Sequence, residues 1–320
     1  MRSFNYKLYS FNYFCYLCGM KMSSNLVRDC RKYYASGLEK IYGSDEANAL
    51  IMILLEHYFG IDRVKIAMDP ELRLSESELL TLHFAVKELL KNKPIQYIIG
   101  ETEFCGMRFE VNENVLIPRP ETEEMVKNIA TCRDKACLIP TGCDVETDGR
   151  PSILDIGTGS GCIAVSLAKL LKNSVVTAVD VSEKALEVAK KNAESNCIDV
   201  NFIKDDILNP KNQELIDNQY DIIISNPPYV CESEKSEMRA NVLDYEPSSA
   251  LFVSDNDPLI FYRKILEFAQ KTLKPNGQVW FEINEKLGNE MKNLCHEKGF
   301  KNVEIIKDFR GKDRVLKVCR

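Results

Sequence analysis

The chain has 320 residues, 45% of them hydrophobic, and carries 42 Lys and Arg against 48 Asp and Glu, for a net charge of −6 and a pI of about 5.4. That is the balance of a globular protein long enough to bury most of its apolar surface without disulfides or structural metal. It excludes a dedicated nucleic-acid coat and a polybasic membrane patch, and no apolar run reaches the roughly 18 residues that a membrane span needs.

Residues 1–23 crowd Phe4, Tyr6, Tyr9, Phe11, Tyr13 and Phe14 into a segment too polar for a signal-peptide core and lacking a small-residue cleavage pattern. It reads as a poorly ordered extension, with Met20 and Met22 as later starts, and stays outside the fold. Residues 24–100 read as a small helical domain. Leu38, Ile41 and Tyr42, then Leu50, Ile53, Leu54 and His57, sit at helical spacing. Ser75 and Glu78 form a capping box that opens a helix to about Leu90, and Pro94 ends it. His57 and His83 read as packed or surface histidines of these helices.

Residues 101–118 change period. Strand-like alternation on either side of Cys105-Gly106 predicts a β-hairpin linker. A helix follows from Glu121 to about Thr131, then a loop to Arg150. Strands are predicted at 152–156, 175–180, 200–204 and 220–225, with helices at 161–172 and 183–196. A helix at 258–273, a strand at 278–283 and a helix at 286–298 follow. This alternation predicts an α/β fold, a doubly wound, Rossmann-like parallel sheet over 119–320. The last two strands, 301–307 and 314–319, are joined by a loop too short for a parallel crossover, so the final strand is predicted antiparallel.

Twelve cysteines suit no disulfide framework in a chain of this length. Cys162, Cys197 and Cys295 fall in apolar-patterned helical segments, where a thiol behaves as a small hydrophobe. Cys15 and Cys18 form a lone CxxC, and Cys132, Cys137 and Cys143 share a polar stretch. Neither group has metal-site spacing, so no metal site is predicted, and a reduced, cytoplasmic compartment is expected.

Chemistry concentrates in two motifs. Gly157, Thr158, Gly159, Ser160 and Gly161 lie between a buried strand and a helix, where open α/β sheets hold ligands. The spacing is G-x-G-x-G rather than the G-x-G-x-x-G of a dinucleotide site, with Asp155 two residues before it. It resembles the S-adenosylmethionine loop of Rossmann-like methyltransferases. Asp180 ends the second strand, where a carboxylate accepts the two hydroxyls of a ribose. Asp205-Asp206-Ile207 follows the third strand, the region that lies along the adenine in those enzymes. Either carboxylate is a candidate there, with Ile207 as apolar contact.

The second motif, Asn226-Pro227-Pro228-Tyr229, leaves the end of the fourth strand. Two prolines fix two φ angles and remove two donors. What remains is a stiff platform with acceptors only, the Asn226 side-chain oxygen and the Pro227 carbonyl, and Tyr229 adds an aromatic face. Such a platform suits a planar NH₂ group, either an exocyclic base amine or a carboxamide. Holding both N–H groups aims the nitrogen lone pair at an electrophilic methyl, so catalysis is positioning and electrostatics without a strong general base.

These motifs, with Pro94-Ile95-Gln96-Tyr97, the segment 115–123 (Val-Leu-Ile-Pro-Arg-Pro-Glu-Thr-Glu), Tyr245-Glu246-Pro247 and Asp313-Arg314-Val315, resemble the peptide chain release factor glutamine methyltransferases, the PrmC/HemK family, over roughly residues 24–320. The resemblance implies a class I methyltransferase sheet and methyl transfer from S-adenosyl-L-methionine to the Gln amide in the Gly-Gly-Gln loop of class 1 release factors. It implies that Gly157 to Gly161, Asp180, Asp206, Ile207 and Asn226 contact the cofactor. Asn226, Pro227, Pro228 and Tyr229 are implied to hold the substrate, with Asn226, Pro227 and Tyr229 catalytic, while the helical domain grips the release factor. Ile207 departs from the pattern, standing where some relatives carry an aromatic residue. A monomer in direct contact with neither nucleic acid nor membrane is expected.

Three rivals are weaker. A DNA adenine methyltransferase shares the tetrapeptide but calls for a basic surface to hold a flipped base and its backbone. A non-catalytic binding protein has no need of both motifs intact. A nucleotide-dependent dehydrogenase is disfavoured by the glycine spacing and the missing proton-donor histidine.

Overall fold

A computed structural model describes residue 22 and residues 24–132 and 150–320; the Cys15/Cys18 pair, Cys137, Cys143 and nearly all of the predicted N-terminal extension lie outside that set. The chain divides into two units between Ile99 and Gly100.

The first unit is helical: α1 (Val27–Tyr42), α2 (Ser44–Phe59), α3 (Arg63–Met68), α4 (Glu76–Leu89) and α5 (Ile95–Ile99). Leu38, Ile51, Leu54, Leu55, Leu79 and Leu82 are fully buried at its centre, each contributing about 1.5–3 kcal/mol by leaving water. The predicted capping box is formed. The Glu78 N–H donates to Ser75 Oγ (3.3 Å); in return the Ser75 hydroxyl and N–H both donate to Glu78 Oε2 (2.7 Å each), and these two bonds hold the Glu78 carboxyl below the usual carboxylate range. His83 shares a hydrogen bond with the Tyr34 hydroxyl through Nδ1 (3.3 Å).

The second unit opens with the hairpin β1 (Glu101–Phe104) and β2 (Met107–Glu110). Cys105 and Gly106 make its two-residue turn, both at positive φ (51° and 68°), which matches the twist of the flanking strands. The hairpin is more than a linker. Phe104, Met107 and Phe109 are buried against Met125, Val126 and Ile129 of α6 (Pro120–Cys132) in the core of this unit.

The elements then alternate: β3 (Ser152–Ile156), α7 (Cys162–Leu170), β4 (Val175–Asp180), α8 (Glu183–Ser195), β5 (Asn201–Lys204), α9 (Gln213–Asp217) and β6 (Tyr220–Ser225). After a two-residue parallel pair, β7 (Val230–Cys231) with β8 (Phe252–Val253), that brackets the short α10 (Ala240–Leu243), come α11 (Ile260–Thr272), β9 (Leu273–Glu282), α12 (Gly288–Glu297), β10 (Asn302–Lys307) and β11 (Asp313–Cys319). The main sheet has the order β10-β11-β9-β6-β3-β4-β5. Strands β5, β4, β3, β6 and β9 are parallel, and β11 runs antiparallel to both β9 and β10. This is the Rossmann-like class I methyltransferase sheet with its antiparallel last strand that the sequence predicts.

Alternation along the strands gives each face a core. Leu154, Ile223, Phe281 and Leu316 pack towards α11 and α12, while Ile153, Ile222, Trp280 and Val315 pack with the hairpin, α6 and α7. One predicted boundary differs by more than two residues: β9 starts at Leu273, five residues before the predicted 278. Leu273 pairs with Tyr220 and Gln278 with Ile222, so the intervening chain bulges out of register, with Asn276 at φ 65°. Lys274-Pro275-Asn276-Gly277 has turn chemistry, which hides the pairing in the sequence. Among the described residues no helix is long and apolar enough to cross a membrane.

Candidate active site

Strands β3, β4 and β6 end side by side, and their last residues, Ile156, Asp180 and Ser225, share the wall of one cavity of about 370 Å³. The Ser225 hydroxyl donates to the Ile156 carbonyl (2.7 Å), tying the strand before the proline tetrapeptide to the strand before the glycine loop. Adjacent strands thus place two motifs 69 residues apart in sequence at one opening.

The glycine loop is pinned from three sides. Gly157 and Thr158 donate backbone N–H groups to the Val179 carbonyl (2.8 and 3.1 Å). The Thr158 hydroxyl donates to Asp155 Oδ2 (2.6 Å), and the Ser160 carbonyl accepts from Asn192 Nδ2 (2.9 Å). Asn192 also spans to the hairpin: its Oδ1 accepts from the Glu110 N–H (2.6 Å) and its Nδ2 donates to the Glu110 carbonyl (3.0 Å). Gly157, Gly159 and Gly161 all have positive φ, a region costly for residues with a Cβ. At Gly161 a Cβ would also meet Ala189 Cβ at 3.0 Å, because α8 packs directly on the loop. Gly157, Thr158, Gly159 and Ser160 line the cavity, whereas Gly161 faces α8 instead.

Asp155 lies wholly buried beneath this loop. Among the described residues its Oδ1 has no hydrogen-bond partner, and burial pushes its carboxyl up to about 7. The folded protein therefore holds this proton more tightly than the unfolded chain, whose carboxylates titrate near ~4. The associated stability is complete below that value and is lost as pH rises to about 7. In thermal melts the wild type should lose ground to Asp155→Asn over that window. A Tm difference that stays constant with pH would show that Asp155 titrates normally.

Asp180 Oδ2 accepts the Gly159 N–H and Oδ1 the Ser182 N–H, both at 2.9 Å, so each oxygen keeps a lone pair in a cavity it lines; burial raises its pKa. The two acidic residues after β5 differ. Asp205 is more heavily engaged in the loop, its Oδ2 accepting from the Lys211 and Asn212 N–H groups and its Oδ1 from that of Asp206 (2.9 Å each). Asp206 accepts one bond, from the Leu208 N–H to Oδ1 (2.9 Å). Ile207 lines the same wall together with Phe261 and Ile265 of α11.

Asn226, Pro227 and Pro228 line the same cavity. Asn226 Nδ2 donates to Thr122 Oγ1 (3.2 Å), which orients the amide with its oxygen away from that bond. Tyr229 is not on the cavity wall. Its hydroxyl donates to Glu282 Oε1 (3.0 Å) and its ring packs on the core; burial and the Glu282 charge raise its pKa. The carbonyl of Tyr229 accepts from Asn284 Nδ2 (3.3 Å), fixing the far end of the tetrapeptide.

Sequence reasoning misses three groups at this site. Thr122 and Glu282 are joined by a hydrogen bond across 160 residues. Arg119 pairs with the buried Glu246 (2.5 Å), whose other oxygen accepts the Ile117 N–H (3.3 Å). This pair fastens the segment carrying Pro118 to the one carrying Pro247, and both prolines line the cavity. Phe261 puts an aromatic side chain on the cavity wall that also carries Ile207. Arg119, Thr122 and Glu246 fall within segments that carry the resemblance, but only contact geometry separates them from their neighbours.

Known proteins resemble this chain. Residues 29–100 match the family model described as the PrmC N-terminal domain, and residues 143–244 the methyltransferase small domain. The release factor glutamine methyltransferase of Flavobacterium psychrophilum is 46% identical over 92% of this chain and 99% of its own length. That of Bacteroides thetaiotaomicron is 43% identical over 90% and 98%. Among solved structures, the hMettl16 catalytic domain with an RNA hairpin aligns with a TM-score of 0.50 at 16% identity, covering 75% of this chain and 79% of that one, a likeness of fold alone. A seven-stranded methyltransferase sheet, a glycine loop and a proline tetrapeptide at one opening, and near full-length identity of this order mean that the chain belongs to the release factor glutamine methyltransferase family.

Proposed function

We propose that this protein transfers a methyl group from S-adenosyl-L-methionine to the side-chain amide nitrogen of the Gln in the Gly-Gly-Gln loop of class 1 peptide chain release factors, acting as a cytoplasmic monomer without a metal. The observation that carries the reading is the Asn226 amide, held through Nδ2 so that Oδ1 is left as an acceptor at a cavity it shares with the glycine loop.

The residues fit a cationic donor. Asp180, on the cavity wall, keeps a lone pair on each oxygen, and the exposed Asp206, on the same wall, keeps an unshared oxygen. In this reading Gly157 to Ser160 hold the methionine portion, Asp180 the ribose, and Asp206 with Ile207 and Phe261 the adenine. When bound, the cofactor supplies a methyl carbon on sulfonium, open to in-line displacement.

Asn226 Oδ1 and the Pro227 carbonyl accept the two N–H groups of the substrate carboxamide and aim its nitrogen at that carbon. The same two acceptors stabilise positive charge growing on nitrogen. Attack moves the positive charge from sulfur to the newly methylated nitrogen, and that cationic nitrogen is acidic enough to pass its extra proton to water, so the site needs no general base. Residues 24–100 are assigned to gripping the release factor, and 119–320 to methyl transfer.

Labelled methyl transfer tests the reading with three acceptors: a release factor, the same factor with its Gly-Gly-Gln glutamine replaced, and duplex DNA. Label should enter the first alone. Incorporation into DNA, or into the glutamine-replaced factor, would overturn it.

A further inference from the structure

Asn226 carries a symmetric-looking amide, and nothing in its own chemistry decides which end faces the cavity. The decision is made two residues away. Thr122, in the first turn of α6, is 2% exposed, and Glu282, the last residue of β9, is 1% exposed. The Thr122 hydroxyl donates its single proton to Glu282 Oε2 (2.5 Å). With that proton committed, Thr122 Oγ1 is only an acceptor towards Asn226, and only Nδ2 satisfies it (3.2 Å). The other Glu282 oxygen takes the Tyr229 hydroxyl (3.0 Å), and the Tyr262 hydroxyl donates to the Glu282 main-chain carbonyl (2.9 Å). Each carboxylate oxygen is thus held by one hydroxyl, and among the described residues both partners donate to it.

We propose that Thr122 and Glu282 are positioning residues that set the polarity of the Asn226 amide, so that its oxygen and not its NH₂ is presented to the substrate carboxamide. The assignment rests on reading Asn226 as the substrate acceptor. A buried carboxylate is a costly way to fill space, and apolar residues of similar volume stabilise as well or better. What the carboxylate adds is direction. An acceptor-only group at the end of the chain forces each hydroxyl and amide to point one way, and hydrogen bonds so aligned polarise one another. Reversed, the amide would face the substrate N–H groups with its own donors, and the site would repel the group it must hold.

Thr122→Val keeps the shape and removes the hydroxyl; Thr122→Ser keeps the hydroxyl; Glu282→Gln keeps the shape and replaces an acceptor-only end with one that also donates. Steady-state assays with cofactor and release factor should show kcat reduced about 10–100-fold for Thr122→Val, the scale of a small misplacement at a reacting centre. KM for the release factor should be little changed, and Thr122→Ser should return kcat close to wild type. Glu282→Gln should lower kcat likewise, and decides by the same criterion if Thr122→Val does not fold. Near-wild-type kcat in Thr122→Val or Glu282→Gln, beside an inactive Asn226→Ala, would overturn this assignment and leave the site reading intact. An active Asn226→Ala would overturn both.

Discussion

Asn226→Ala is expected to keep its fold and to lose methyl transfer by at least about 10²–10³-fold in kcat, the cost of removing one preorganised hydrogen-bonding group from an active site. Two convergent acceptors fix a planar NH₂ in both position and rotation; with the Pro227 carbonyl alone the substrate amide turns about the remaining bond. The nucleophile tolerates this badly, because an amide lone pair is delocalised and has to be pointed at its target. The fold has little to lose. Asn226 is partly exposed, follows the last residue of β6, and among the described residues its one side-chain bond is to Thr122. Labelled methyl transfer at saturating donor and release factor, beside a thermal melt, measures both halves. Substantial turnover from a folded variant would place the acceptor elsewhere.

The site was legible in the sequence wherever chemistry and backbone geometry coincide in a short segment. The glycine loop and the tetrapeptide announce themselves because positive φ and paired prolines are backbone demands that few residues meet. Reading 152–156 and 220–225 as strands puts each motif at a strand end, and the observed pairing of β3 with β6 brings the two to one opening. What could not be read is pairing across long separations. Thr122 and Glu282 look like an ordinary helix residue and an ordinary strand end until the fold joins them. Tyr229 has the sequence look of an exposed stacking face, yet Glu282 captures its hydroxyl and draws the ring off the cavity wall. Adjacent in sequence, Asp205 and Asp206 part only through the backbone bonds each accepts. The early start of β9 was hidden for the opposite reason: a local turn signal overlies a tertiary pairing with Tyr220.

Asp180→Ala is expected to weaken cofactor binding by about two orders of magnitude, with a much smaller fall in thermal stability. Hydrogen bonds to a charged group are worth roughly 1.5–3 kcal/mol each, and a ribose offers two. The same carboxylate also accepts the Gly159 N–H (2.9 Å). Its removal therefore frees the glycine loop at the point where the backbone meets the ligand, and the ordering of that loop must then be supplied on binding. The fold itself is held by other contacts, since Gly157 and Thr158 remain bonded to Val179 and α8 keeps its Ser182 cap on the Ala185 N–H (3.2 Å). Asp206→Ala provides the internal comparison. That residue is exposed and organises a single backbone bond, so its loss should cost about tenfold or less. Calorimetric titration of each variant with S-adenosyl-L-methionine separates the two carboxylates. Equal losses, or an Asp180 variant that binds like wild type, would mean that the ribose is held by some other part of the wall and that the glycine loop is rigid without its carboxylate.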